Sequence, residues 1–93
     1  MKIFIATLLF CSSTFAEVGV TTEKILICEI ANLTGSSPGK SIRLREGSAA
    51  YFQKINKAGG VFGRKIETIV YDDKYDSKLA LEFANKLINV DKV

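Results

Sequence analysis

The sequence predicts an α/β fold built on a parallel sheet, and two observations support this prediction. Two short apolar runs are each followed by a stretch with helical periodicity, so the order is strand, helix, strand, helix. Such alternation is typical of parallel strands joined by right-handed crossovers. The composition, 47% apolar and 25% charged residues, is that of a globular chain and excludes a disordered one.

Residues 1–16 have the pattern of a secretory signal. Lys2 precedes an apolar run over residues 3–11, and small residues then predict cleavage after Ala16. The apolar run is shorter than the roughly 20 residues that a membrane span needs. Lipid attachment at Cys11 is the alternative, although Phe10 stands where a lipoprotein signal has a small residue. We therefore expect a signal peptide over residues 1–16 and export of residues 17–93 to the periplasm.

The first strand and helix are predicted from the patterns that follow. Lys24–Ala31 is a nearly continuous apolar run, typical of a strand that a parallel sheet covers on both faces. A loop rich in Gly and Ser spans residues 32–41, and residues 42–58 carry apolar side chains at steps of three and four, which indicates an amphipathic helix. Gly59 and Gly60 end this helix. Gly47 weakens it, and we expect this glycine to allow close approach to the neighbouring strand.

A second strand is predicted over residues 65–71 and a second loop over residues 72–75. Asp76 or Ser77 then caps a helix whose apolar face consists of Leu79, Ala80, Phe83, Ala84, Leu87 and Ile88. Residues 90–93 resemble the approach to a third strand. Because an isolated two-stranded sheet is marginally stable, we expect the beginning of a longer domain rather than a free-standing small protein.

The two loops that follow the strands are the candidate binding loops, since ligands in open parallel sheets gather at the carboxyl ends of strands. Asp72 and Asp73 could form an acidic pocket, an acid and base pair or a metal site. The favoured interpretation is that one of the two carboxylates caps the loop and the other is solvated, because adjacent strand residues point to opposite faces. Tyr71 is expected in the core, whereas Tyr75 is equally compatible with ligand stacking and with packing.

Two short motifs in the first loop have alternative interpretations. Residues 35–41, GSSPGKS, are one residue short of a phosphate-binding loop, and Pro38 removes a backbone donor, which argues against nucleotide hydrolysis. Asn32-Leu33-Thr34 matches the N-glycosylation acceptor pattern, although matches of three residues are frequent by chance.

Charge and residue types exclude several classes of function. The net charge is +3, and acids and bases are interspersed from Glu17 to Val93, which does not indicate a nucleic-acid partner. The sequence has no histidine, and Cys28 is the single cysteine after residue 16, so neither a zinc site nor a Cys-His nucleophile can be assembled. We expect no enzyme activity, no metal site and no cofactor.

The stretch from Lys24 to about Ile88 resembles the opening of the mature periplasmic leucine/isoleucine/valine-binding proteins, the substrate-binding subunits of branched-chain amino acid ABC transporters. The resemblance depends on several short motifs in one order: Leu33-Thr34-Gly35 after the first strand, Ala50-Tyr51-Phe52 and Ile55-Asn56 in the helix, Gly59-Gly60-Val61 and Gly63-Arg64-Lys65-Ile66 before the second strand, and Asp72-Asp73 with Tyr75 after it. It covers nearly all of the chain after the signal, but only the first part of the family's length.

The resemblance implies a type I periplasmic binding protein fold, of which residues 17–93 form the N-terminal part of the first lobe. It implies binding without catalysis: closure of two lobes holds a small solute, which is presented to a membrane permease. It places Ser36, Ser37, Asp73 and Tyr75 at the ligand. The sequence departs from the family at residues 38–41, where family members are usually more apolar, and at residue 28, where they usually have glycine. We expect Cys28 to be a buried thiol.

A second class of function is compatible with the same fold. The ligand-binding module of a sensory receptor would use it to signal rather than to transport, and a downstream transmembrane segment would favour that alternative. If the chain is complete, we expect it not to bind amino acids by itself, because the opposing wall of the cleft would be missing.

Overall fold

Two parallel strands and two helices form the part of the protein that the structure, a computed structural model, describes, residues 17–93. The elements are strand β1 (Lys24–Ala31), helix α1 (Gly39–Lys57), strand β2 (Lys65–Asp72) and helix α2 (Ser77–Asn89). The strands pair in parallel along their whole length, from Lys24 beside Lys65 to Ala31 beside Asp72. The predicted α/β fold and its order of elements are confirmed. The predicted signal segment and Cys11 lie outside the described residues.

Helix α1 begins at Gly39, earlier than the predicted residue 42. Pro38 has a φ of −76°, which is already suited to the first turn of a helix, and its carbonyl accepts a hydrogen bond from the Ile42 N–H at 3.0 Å. The helix ends as predicted. Gly59 and Gly60 follow it with φ of +107° and +79°, in the left-handed region that favours glycine.

Helix α2 packs on the sheet through the apolar face predicted for it, except for Ile88, which is 63% exposed. Leu87, the most buried side chain in the described range, is 1% exposed. The Tyr71 ring stacks on Phe83, with centroids 4.7 Å apart and an interplanar angle of 6°, and its hydroxyl donates to Asp91 Oδ2 at 2.7 Å. Asp76 caps the helix by accepting a hydrogen bond from the Lys78 N–H at 2.8 Å. The predicted cap and the predicted packing role of Tyr71 are therefore confirmed.

Two expectations about individual residues are wrong. Cys28 is exposed rather than buried. Gly47 lies on an exposed part of α1, and a Cβ placed there would meet no atom within 4 Å, so it permits no close approach to a strand. Among the described residues no helix is long and apolar enough to cross a membrane.

The open surroundings of Gly47 give a stability prediction. Gly47→Ala should raise the free energy of unfolding by about 0.5–1 kcal/mol, because alanine loses less backbone entropy in a helix and meets no steric obstacle here. Urea denaturation followed by circular dichroism measures the change.

Gly60→Ala is the matched comparison, since its Cβ would lie 2.1 Å from the Arg64 carbonyl oxygen at a φ of +79°. This variant should be destabilised. A destabilised Gly47→Ala would instead restore the close-approach interpretation.

Candidate functional site

The candidate site lies where both strands end, because parallel pairing brings the two carboxyl ends to one edge of the sheet. The first loop here consists of residues 32–38, between β1 and α1, and the second loop consists of residues 73–76, between β2 and α2. The Asp73 N–H donates to the Ala31 carbonyl at 3.1 Å, so the second loop begins directly beside the end of β1.

Asn32 holds the first loop in its folded form. Its side chain belongs to a residue that is only 6% exposed, and both ends of the amide are used. Nδ2 donates to the Ser36 carbonyl at 2.7 Å, and Oδ1 accepts from the Gly35 N–H at 2.8 Å. The acceptor nitrogen of the Asn32-Leu33-Thr34 motif is thus buried and hydrogen-bonded, which argues against its glycosylation.

Asp72 joins the two loops through its carboxylate. Oδ1 accepts from the N–H groups of Leu33 and Lys74, both at 2.9 Å, and Oδ2 accepts from the Thr34 hydroxyl at 2.5 Å. These donors, the Thr34 hydroxyl first and the Leu33 N–H second, lower the pKa of Asp72 from 3.8 to about 2. The ionised carboxylate is therefore a structural link between the loops.

The loops also touch through their backbones at Gly35. A Cβ at this position would lie 2.1 Å from the Lys74 carbonyl oxygen and 2.7 Å from Asn32 Oδ1. Both distances are far below van der Waals contact, so only glycine permits this approach. The glycine of the first loop is needed for contact with the second loop, rather than to cradle a phosphate.

The second loop is a tight turn that holds Tyr75 outward. Lys74 and Tyr75 have φ of +51° and +61°, a region that residues other than glycine seldom adopt. The turn is closed by the Asp76 N–H, which donates to the Asp73 carbonyl at 2.8 Å, and by the Tyr75 N–H, which donates to Asp73 Oδ1 at 2.9 Å. Tyr75 is 77% exposed. Such strain, on the order of 1 kcal/mol per residue, occurs frequently at ligand-binding sites.

Two adjoining cavities open at this edge of the sheet. One has a volume of about 350 Å³ and is lined by Asn32, Ser36, Ser37, Lys40, Ser41 and Tyr75. The other, of about 370 Å³, is bounded by the ends of β1, α1 and the second loop, and it shares Asn32, Ser41 and Tyr75 with the first. Both volumes lie within the range of small-molecule sites.

Two charged side chains, Glu29 and Arg45, line the second cavity. Ser48 Oγ donates to Glu29 Oε1 at 2.6 Å, and Arg45 Nε lies 3.9 Å from Glu29 Oε2. Glu29 is on β1 and Arg45 on α1, so this cluster joins the strand to the helix below the loops. Glu29 interrupts an otherwise apolar strand, and this was the one sequence signal that could have identified it.

All four predicted site residues lie at the cavities. Ser36 and Ser37 line the first, Asp73 lines the second and Tyr75 lines both. Of the two adjacent acids, Asp72 caps the loops as the favoured interpretation expected, but Asp73 is half-buried and also bonds the turn rather than being free in solvent. The sequence singled out Asn32 only as a glycosylation acceptor, and it did not single out Arg45. No cluster of three or more potential metal ligands occurs within residues 17–93.

Comparisons with known proteins identify similar sequences and folds. The family described as periplasmic binding protein matches residues 24–93. The leucine-, isoleucine-, valine-, threonine-, and alanine-binding protein of Pseudomonas aeruginosa is 36% identical over 75 residues, 81% of this chain. The Leu/Ile/Val-binding protein homolog 3 of Brucella melitensis biotype 1 is 29% identical over 85 residues, 91% of this chain.

Two solved structures share the fold. A fatty acid ABC transporter substrate-binding protein from Thermomonospora curvata aligns over 78% of this chain with a TM-score of 0.75 and 32% identity. A putative branched-chain amino acid ABC transporter from Silicibacter pomeroyi aligns over 74% with a TM-score of 0.68 and 28% identity. The matches cover 20% and 21% of the two curated relatives and 19% and 18% of the two structures, so the chain spans about a fifth of their length.

The lowered pKa of Asp72 predicts a specific dependence of stability on pH. Because the folded pKa, about 2, lies below the ordinary 3.8, ionised Asp72 stabilises the fold above about pH 4. This contribution is lost as the pH falls through 2. Asp72→Asn should therefore unfold at lower urea than the wild type at pH 5, and the difference should shrink towards pH 2.

Thr34→Val removes the largest cause of the shift and keeps the carboxylate, so it should raise the pKa of Asp72 towards 3.8 in an NMR titration. Glu46→Gln, on the exposed side of α1, is the control for removal of a carboxylate. An unchanged Asp72 titration in Thr34→Val would contradict the assignment of the hydroxyl as the main donor.

Proposed function

The chain belongs to the periplasmic binding protein family, and on this basis we propose that it acts in the solute-binding component of an ABC transporter that takes up branched-chain amino acids or a related small solute. The observation that carries the proposal is the convergence of Ser36, Ser37, Asp73 and Tyr75 on two adjoining cavities at the ends of the parallel strands. This is the place where open parallel sheets bind ligands.

The polar groups at the cavities support an amino acid over a fatty acid. Serine hydroxyls line both cavities and the Asp73 carboxylate lines the second, and against a plain acyl chain these groups would be desolvated without a partner on the ligand. The two curated relatives carry names that refer to amino acids, whereas one of the structural neighbours is named for fatty acids. The lining therefore supports the amino-acid alternative.

We assign the four residues complementary roles at the ligand. The hydroxyls of Ser36 and Ser37 can donate hydrogen bonds to a carboxylate, and the first turn of α1, which holds Lys40 and no acid, adds a favourable potential for the same group. Asp73 supplies a carboxylate oxygen for the ammonium group, since only Oδ1 bonds the turn. The exposed ring of Tyr75 covers the apolar side chain of the solute.

Export and a membrane partner complete the proposal. A signal peptide over residues 1–16 would deliver the protein to the periplasm, and a membrane permease would receive the solute after hinge closure. No group transfer or bond cleavage is part of this function, so neither a cofactor nor a metal is required. The described loops form one wall of the site, against which a second wall closes.

Calorimetric titration of the protein purified from its native source tests the proposal. L-Leucine, L-isoleucine or L-valine should bind with a micromolar Kd, and octanoate should bind at least tenfold more weakly. Tyr75→Ala should weaken amino acid binding by at least tenfold, because burial of an aliphatic side chain such as that of leucine is worth about 1.5–3 kcal/mol.

Tyr51→Ala is the matched control, since Tyr51 is also exposed but lies on α1 outside both cavities. It should leave the affinity unchanged. Tighter binding of octanoate than of the amino acids, or equal losses in the two tyrosine variants, would contradict the proposed ligand or the proposed site.

A further inference from the structure

The turn between α1 and β2 presents one phenyl ring to solvent. We call residues 61–64 the Phe62 turn. Phe62 is 94% exposed, the highest value among the large apolar residues of the described range, and its φ of +50° is unusual for a bulky side chain. This turn precedes β2, whereas the cavities follow it, so an eight-residue strand, about 26 Å long, separates the two. The proposed solute site does not use this surface.

The exposure of Phe62 is imposed by a closed and well-anchored turn. Val61 and Arg64 exchange backbone hydrogen bonds of 2.8 and 3.0 Å, and the Lys65 N–H donates to the Glu23 carbonyl at 2.9 Å. Asn56 joins the end of α1 to the start of β2 by bonding both the N–H and the carbonyl of Ile66 at 2.8 Å. The ring is thus held outward by a fixed backbone.

The charged residues that closely precede and follow Phe62 in the sequence are basic. Lys54, Lys57, Arg64 and Lys65 lie between positions 54 and 65, and no acidic residue occurs in this range. Of the acids at this end of the sheet, Glu67 is paired with Lys24 at 3.3 Å, Glu23 lies beside the turn, and Glu17 lies in the segment that pairs with the start of β1. The local charge is therefore positive around an apolar tip.

We propose that the Phe62 turn is a membrane contact that binds the surface of a bilayer rich in anionic phospholipid. Phe62 enters the boundary between headgroups and acyl chains, and the four basic side chains lie against the phosphates. The positive charge of the residues near the turn complements the negative charge of an anionic membrane surface, and this favours a membrane as the binding partner. A single ring on a narrow turn is far smaller than the roughly 800 Å² per partner of a stable protein interface, whereas one inserted aromatic with several basic residues suffices for weak, reversible binding to a membrane.

A tryptophan at the turn reports on this contact directly, because the chain contains no tryptophan. Phe62→Trp should fluoresce as an exposed indole in buffer. With vesicles of phosphatidylglycerol and phosphatidylcholine, its emission should shift to shorter wavelength and be quenched by brominated acyl chains. Tyr51→Trp, on the exposed side of α1, is the control probe and should show neither change.

Charge variants in the Phe62→Trp background test the electrostatic part. Each of Lys57→Gln and Lys65→Gln should weaken vesicle binding about fivefold, in line with about 1 kcal/mol per basic residue near an anionic surface. Vesicles of pure phosphatidylcholine should bind much more weakly.

Three results would overturn the proposal. Emission of Phe62→Trp that anionic vesicles leave unchanged would exclude membrane contact. Equal quenching of Tyr51→Trp would mean unspecific adsorption. Emission already shifted in buffer would show that another segment or a second copy of the chain covers the turn.

Discussion

The carboxylate of Asp72 is the interaction on which the candidate site depends. It stands at the last position of β2 and accepts hydrogen bonds from both loops, two from the first and one from the second. Sheet pairing alone would bring the loops to the same edge without fixing their conformations. Asp72, together with the close backbone approach at Gly35, makes the two loops a single surface. Tyr75 and the serines are positioned relative to one another through this link.

The sequence predicted the elements because each has a strong local signal. Apolar runs, helical periodicity, paired glycines and the Asp76 cap all depend on residues close together in the chain, and the structure confirms them. Helix α1 begins at Gly39 rather than at the predicted Ile42, because a proline in a segment rich in Gly and Ser predicts a loop. Pro38 in fact occupies the position immediately before the helix, where its restricted φ is favourable.

Contacts between distant residues could not be predicted in the same way. Asp72 bonds Leu33 and Thr34 across the sheet, and Arg45 approaches Glu29 from the helix. No pattern in the local sequence marks these contacts, because they depend on the register of the strands and on the position of α1 over β1. The exposure of Cys28 could not be predicted for a related reason, since an apolar neighbourhood in sequence does not show which side chains are covered in the fold. The cavities are likewise a product of tertiary arrangement.

The central claim is that the two linked loops form one wall of a solute site. A crystal structure of the protein with L-leucine bound tests it most directly. We predict that the ligand lies at the strand ends and that its side chain contacts Tyr75. Its polar groups should lie within about 3.5 Å, the limit of a hydrogen bond, of Ser36 or Ser37 and of Asp73. A ligand bound elsewhere, with no contact to either loop, would contradict the account.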